Sequence, residues 1–278
     1  MTDVRSTLHE PRRGAFPNGM EYLTWGDGPR TLLSVLGGPG SFVPTGTMAR
    51  MLVRQARPYV AAGYTVWIVT RRRDMPDGHG IADMAGDYAQ VVAEQFGGRV
   101  DLVVGESYGG MVAQYLAALH PERLGHLALV VSGCEVSAWG KDVDARLGAA
   151  LARGDVGASG TAFAEYLLPG DRLRLPRRLL GPLIGRVLFA DEVCPPGDVL
   201  VEVEAELAFD SRAVLPAVRV PVLMVSGSRD RFFPPDVVEE TAALIPDCTV
   251  VRYRGKGHLG TGTDKRVAAD VLAFVDRP

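Results

Sequence analysis

Short runs rich in valine, isoleucine and leucine recur along the chain, at residues 31–36, 64–69, 100–104, 126–131, 220–225 and 249–253, and helical patterns separate them. This rhythm limits the fold more than any other feature of the sequence. A strand, a covering helix and a further strand in the same direction build a parallel sheet. Several of the runs are apolar throughout rather than alternating, as strands covered on both faces require. Helices are expected at residues 47–62, 82–96, 108–119, 236–244 and 265–275, with 20–25 as a preceding antiparallel strand.

The rhythm breaks once, between residues 132 and 221, where helical patterns continue without a convincing strand. That stretch is too long for an ordinary loop in a compact domain. Segments 162–168, 177–189 and 199–209 read as helices separated by proline and glycine, so residues 134–213 are expected to form an inserted helical cap. The core is then residues 1–133 and 214–278. At 278 residues and 47% hydrophobic, the chain has enough apolar surface for one large α/β domain.

Lysine plus arginine number 30 and aspartate plus glutamate 33, a formal charge of −3. The molecule as a whole therefore has no electrostatic reason to gather nucleic acid or anionic lipid, and a small-molecule substrate is the expected partner. The polar start of the chain has no apolar signal core, and no apolar run of about 18 residues follows. Cys134, Cys194 and Cys248 are widely spaced, with no metal or redox motif. A protein without metal or organic cofactor, working in a reducing cytoplasm, is the expectation.

The sharpest motif is Gly105-Glu106-Ser107-Tyr108-Gly109-Gly110, which follows the run 100–104 and opens the helix 108–119. A strand, G-x-S-x-G and a helix form a turn that lifts the serine hydroxyl clear of the sheet. Side chains larger than hydrogen at 105 and 109 would collide with neighbouring backbone. A serine hydroxyl needs a base to take its proton and a third group to orient that base. Asp230 lies just past the run 220–225, and His258 just past 249–253. The other histidines, His9, His79, His126 and His120, have no comparable setting.

These three motifs, in the order serine, aspartate, histidine, resemble those of the α/β-hydrolase superfamily, with similarity from about Thr31 to the carboxyl end. The resemblance implies the α/β-hydrolase fold, a mostly parallel sheet with helices on both faces and an inserted helical cap. It implies Ser107 as nucleophile, His258 as base and Asp230 as orienting acid. Glu135 occupies the place where some members carry the acid instead, and Asp230 is preferred. The oxyanion donors expected are the N–H groups of Tyr108 and of Gly38, in the Leu36-Gly37-Gly38-Pro39-Gly40 loop, although many relatives have histidine where this chain has Leu36.

The run Arg71-Arg72-Arg73 departs from the family pattern, and a solvated face is favoured over contact with an anionic substrate. Glu202, Glu204 and Glu206 invite comparison with prolyl aminopeptidases, but their spacing of two spreads them around a helix, again favouring solvent. Phe163, Tyr166 and Phe209, with Leu167, Leu180 and Ile184, are expected to line the acyl pocket beneath the cap. The function expected is ester hydrolysis through an acyl-enzyme. Aminopeptidase, acyltransferase and ligand-binding receptor are the alternatives.

Overall fold

The structure is a computed structural model that describes residues 11–189 and 194–277. The polar start of the chain and His9 lie outside those residues. A hairpin opens the fold, with β1 (Arg12–Ala15) turning back through Pro17, Asn18 and Gly19 into β2 (Glu21–Trp25). Gly19 takes φ +83°, a left-handed conformation that glycine adopts without a Cβ penalty. Then follow β3 (Arg30–Val35), α1 (Gly46–Ala61), β4 (Tyr64–Val69), α2 (Ile81–Gln95), β5 (Val100–Glu106), α3 (Tyr108–Leu119) and β6 (Leu124–Val130). Four helices come next: α4 (Ala138–Ala152), α5 (Val156–Leu167), α6 (Arg174–Leu188) and α7 (Pro196–Leu207). The chain ends with β7 (Val222–Gly227), α8 (Pro235–Leu244), β8 (Cys248–Tyr253), the single turn α9 (His258–Gly262) and α10 (Arg266–Val275).

The eight strands form one sheet in the order β1-β2-β4-β3-β5-β6-β7-β8. Only β1 and β2 run antiparallel to their neighbours. Side chains alternate across each strand, so neighbouring residues feed opposite layers of core. Leu33 and Val103 pack in the layer that holds Met84 and Tyr88 of α2 and Met111 and Leu116 of α3. Leu32 and Leu102 pack in the layer that holds Tyr59 of α1 and Val271 and Phe274 of α10. Phe16, Tyr22, Trp67 and Phe96 close one edge, with ring centroids from 4.7 Å to 6.1 Å apart.

Strand order reverses at β3. The chain steps outward from β3 to β4, then returns to the other side of β3 to form β5. At such a switch point the loops leaving the carboxyl ends of β3 and β5 diverge to opposite faces and leave a crevice between them. The loop beginning at Leu36 and the turn carrying Ser107 occupy those two positions.

Between β6 and β7 the described elements are helices, and α4 was not expected from the sequence. Its Gly140 and Gly148 read as helix breakers, yet both are contact points. A Cβ on Gly140 would lie 2.7 Å from the Phe232 ring, and one on Gly148 would overlap Val203 of α7. Ser137 caps the helix by accepting the Gly140 N–H at 3.0 Å. Glycines likewise decide how α5 meets α6. A Cβ on Gly160 would strike the Gly181 carbonyl, one on Gly181 would strike Thr161, and one on Gly185 would strike the Val156 carbonyl. The two backbones are therefore in direct contact.

Gly160→Ala is expected to force these helices apart and cost about 1–3 kcal/mol of stability. Denaturant titration should show a lower midpoint at an unchanged slope. A wild-type midpoint would mean that the α5–α6 contact tolerates the extra carbon.

Candidate active site

Ser107 is the residue between β5 and α3, with φ +51° and ψ −115°. A serine rarely occupies positive φ, and here the surroundings hold it there. A Cβ on Gly105 would lie 2.7 Å from both Ala113 and the Gly109 carbonyl, and one on Gly109 would overlap the Val35 carbonyl. A Cβ on Gly110 would run into Ser132. No side chain fits at these three positions, so β5, α3 and the end of β3 close around the turn. The Ser107 N–H donates to the Val130 carbonyl at 2.9 Å, and the hydroxyl is left at the amino end of α3.

His258 opens α9 and is 6% exposed. Its Nε2 lies 3.0 Å from Ser107 Oγ, while Nδ1 lies 2.9 Å and 3.1 Å from the two oxygens of Asp230. Asp230, 3% exposed, is itself fixed, because Oδ1 accepts the N–H groups of Phe232 and Phe233 at 2.9 Å and 3.2 Å. The structure thus joins Ser107, His258 and Asp230 in one hydrogen-bonded row. Glu135 is elsewhere: it is paired with Arg212 at 2.7 Å on a half-exposed patch.

Aromatic rings wall the imidazole. Phe232 stands 4.6 Å, Tyr166 5.9 Å and Phe233 6.0 Å from it, centroid to centroid. Burial alone would lower the histidine's pKa, but the charge and hydrogen bond of Asp230, with the charges of Asp144 and Glu106, outweigh it and hold the pKa above the ordinary value. Asp144, Glu206 and Tyr166 form a second buried group beside this site. Tyr166 donates its hydroxyl to Asp144, and the buried Glu206 carboxyl is close enough to Asp144 to shift its titration. Burial raises both carboxyl pKa values, and the neighbouring Asp144 charge raises Glu206 further.

The loop after β3 lies directly against Ser107. A Cβ on Gly37 would sit 2.9 Å from the Glu106 carbonyl and 3.1 Å from Ser107 Cβ, and Gly38 takes φ +72° with open space around it. Arg71 holds this loop by its carbonyls, donating to Leu36 at 2.9 Å and to Gly38 at 2.6 Å. Glu202 of α7 faces the same guanidinium at 2.8 Å and 2.9 Å, and accepts the Gly40 N–H. Both side chains are wholly buried. Arg71 also stacks over the Tyr108 ring at 4.2 Å, while the Tyr108 hydroxyl donates to the Glu202 carbonyl at 2.8 Å.

Two expectations therefore change. The arginine run is not a solvated face, because Arg71 follows β4 inward to the loop carbonyls. Arg72 and Arg73 are engaged with Asp87 and Glu21. Of the three glutamates, Glu202 and Glu206, one helical turn apart, share the buried face of α7, and only Glu204 is exposed. The aromatic expectations divide. Phe163 stacks on Tyr166 at 5.1 Å, near the imidazole, but Phe209 packs on Tyr115 of α3 in the main core. Leu167 and Leu180 are 53% and 47% exposed and face solvent. Arg71 was weighed only as a contact to an anionic substrate, and Phe232 and Phe233 were not expected as site components. Arg71, two residues beyond the end of β4, and two phenylalanines two and three residues after Asp230, are the signals that were available.

Among the described residues, no group of three or more His, Cys, Asp or Glu is placed to hold a metal ion, and no helix is long and apolar enough to cross a membrane. Fold and site define a class. The family model of the alpha/beta hydrolase fold matches residues 55–263, and the chain belongs to that family. More particularly, it is 35% identical over 176 residues to the pimeloyl-[acyl-carrier protein] methyl ester esterase of Neisseria meningitidis serogroup A, a match spanning 60% of this chain and 54% of that protein. The esterase of the same name from Aromatoleum aromaticum is 28% identical over 218 residues, spanning 72% of this chain and 83% of its own. A hydrolase from Pseudomonas aeruginosa PA01 shares the fold at a TM-score of 0.71 and 20% identity, over 96% of this chain and 99% of that one.

Removing the Glu202 charge should be costly, since Glu202→Gln leaves the Arg71 guanidinium buried without a counter-charge. A loss of about 3–5 kcal/mol is expected. Arg71→Met combined with Glu202→Leu, which removes both charges, should unfold at a higher temperature than Glu202→Gln alone. The opposite ranking in thermal melts would show that the ion pair is not what holds the loop.

Proposed function

We propose that this chain is a serine hydrolase that cleaves carboxylic esters of small substrates through an acyl-enzyme. The observation that carries the reading is the row Ser107, His258, Asp230, with spacings of 3.0 Å and 2.9 Å, set at the switch point of the sheet. The esterases named above act, by their names, on a methyl ester of a carrier-bound acid. A small alcohol leaving group fits that comparison.

In this mechanism His258 Nε2 takes the Ser107 proton as Oγ bonds to the ester carbon, and the carbonyl electrons move onto oxygen. The Tyr108 N–H, in the first turn of α3 and so without an intrahelical acceptor, donates to that oxyanion, together with the Gly38 N–H. Arg71 engages the Leu36 and Gly38 carbonyls and so acts as a positioning residue for the Gly38 amide. The intermediate collapses, the alkoxide leaves with the proton returned by imidazolium, and Ser107 is acylated. Water then repeats the sequence, giving its proton to His258 and releasing the acid. Asp230 holds the tautomer with Nδ1 protonated and stabilises the imidazolium.

The helices α4 to α7, within residues 134–213, would act as a cap over the site, with Tyr166 and Phe163 forming its roof near the imidazole. The steps require no metal or organic cofactor. The three cysteines stand unpaired and take no part, which suits a reducing, cytoplasmic setting. One observation favours a second reading: the buried Asp144–Glu206 pair beside His258 would suit a substrate amine, as in an aminopeptidase.

A panel of p-nitrophenyl esters beside aminoacyl anilides separates the two. Esters should turn over, Ser107→Ala should lose several powers of ten in kcat, and Asp230→Asn roughly 10⁴-fold, while Glu135→Gln stays near wild type. More than a tenth of wild-type rate in a folded Ser107→Ala would refute the nucleophile. Preferential turnover of the anilides would shift the reading to the peptidase.

The pH dependence follows from the histidine. Only neutral imidazole accepts the serine proton, and the surrounding carboxylates favour the charged form, so kcat/KM should fall as pH drops through an apparent pKa above the ordinary 6.5. An acid limb at or below 6.5 would mean that burial outweighs those carboxylates.

A further inference from the structure

Helix α6 is built inside out. The face it turns to α5 is made of Gly181 and Gly185, while Leu175, Leu179, Leu183 and Val187, four residues apart along one side, are 66%, 71%, 62% and 70% exposed. Singly exposed aliphatics are common, but a continuous ridge of them marks an interaction surface. Among the described residues nothing covers this ridge, since α6 turns its glycine face to α5.

Its charge is equally one-sided. From residue 172 to 188 the sequence has five arginines and no acid, within a molecule of net charge −3. Arg177 is buried and spans the Leu168 and Gly170 carbonyls, whereas Arg172, Arg174, Arg178 and Arg186 are exposed and have no ion pair among the described residues. Arg186 lies on the ridge side of the helix, three residues beyond Leu183, and Arg178 borders the ridge three residues beyond Leu175, whereas Arg174 and Arg177 turn towards α5.

We propose that the α6 face docks on an anionic lipid bilayer, with the Leu175–Leu179–Leu183–Val187 ridge at the boundary of headgroups and acyl chains and Arg178 and Arg186 on lipid phosphates. An apolar ridge flanked by arginine on a helix too polar to span is the form of an interfacial helix. A second copy of the chain is a poor occupant, because pairing α6 with α6 brings like charges together. The overall charge of −3 is no obstacle, since a surface potential acts within about a Debye length and meets only this face. The proposal is independent of the hydrolase reading, because it concerns binding and not turnover.

The test is co-sedimentation of the full chain with vesicles of phosphatidylcholine, alone or mixed with phosphatidylglycerol. Binding is expected to the mixed vesicles, to weaken with added salt, and to be slight on phosphatidylcholine. Leu179→Asp with Leu183→Asp should weaken it at least about tenfold, and Arg178→Gln with Arg186→Gln about tenfold or more. All four positions are exposed, so both variants should keep the wild-type melting temperature and their turnover of a water-soluble ester. Absence of binding to the mixed vesicles, or wild-type binding by both folded variants, overturns the proposal. Capture of a purified acidic carrier protein by a chain that ignores both vesicles would overturn it as well and give the face to a protein partner.

Discussion

Above the sheet, the arrangement depends on one buried ion pair. Arg71 and Glu202 meet at 2.8 Å with neither side chain exposed, and each has further partners. Two charges are not removed from water without such compensation. The guanidinium supplies it by binding the Leu36 and Gly38 carbonyls, and the carboxylate by accepting the Gly40 N–H. Three separate pieces of chain, the end of β4, the glycine loop after β3 and helix α7, are thereby fixed to one another. A glycine loop by itself has many conformations, and this pair selects one of them.

Beneath that layer the constraint is steric. Gly105, Gly109 and Gly110 have no room for a Cβ, and the same crowding holds Ser107 at positive φ. Val131, at the end of neighbouring β6, also has positive φ, at +48°, an unusual state for a β-branched residue. Strain on adjacent strands at the crevice is compatible with stability because β5, β6 and β7 are buried strands joined by continuous parallel ladders. Rigid strands carry the strained turn, and the Ser107 hydroxyl comes to lie 3.0 Å from an imidazole supplied by a residue 151 positions away.

The strands were legible because their signal is local. Residues 64–69 were expected as a strand and are one, and the other core strands shifted by only a few residues at their ends. What escaped was structure without a periodic apolar signature. Strand β1, with sequence Arg12-Arg13-Gly14-Ala15, is an edge strand with nothing apolar to alternate. Helix α4 was hidden by Gly140 and Gly148, whose lack of a side chain serves packing against Phe232 and α7. Phe209 was assigned to a pocket because it is aromatic and near the end of a helix, yet its neighbour Tyr115 lies on α3, far away in sequence.

By itself, then, the sequence determined the α/β class, the order of the βα units and the positions of Ser107, Asp230 and His258, since each lies just beyond the carboxyl end of a strand that announces itself. Turn chemistry and apolar periodicity act over a few residues and survive in one dimension. Whether a charged residue is buried does not, because burial depends on partners that approach from distant segments. Arg71 and Glu202, 131 positions apart, looked like solvated charges and form the centre of the crevice. Leu167 and Leu180 were expected to line a pocket and face solvent. Only the tertiary structure decided these cases, by bringing glycine against glycine in one place and opposite charges together in another.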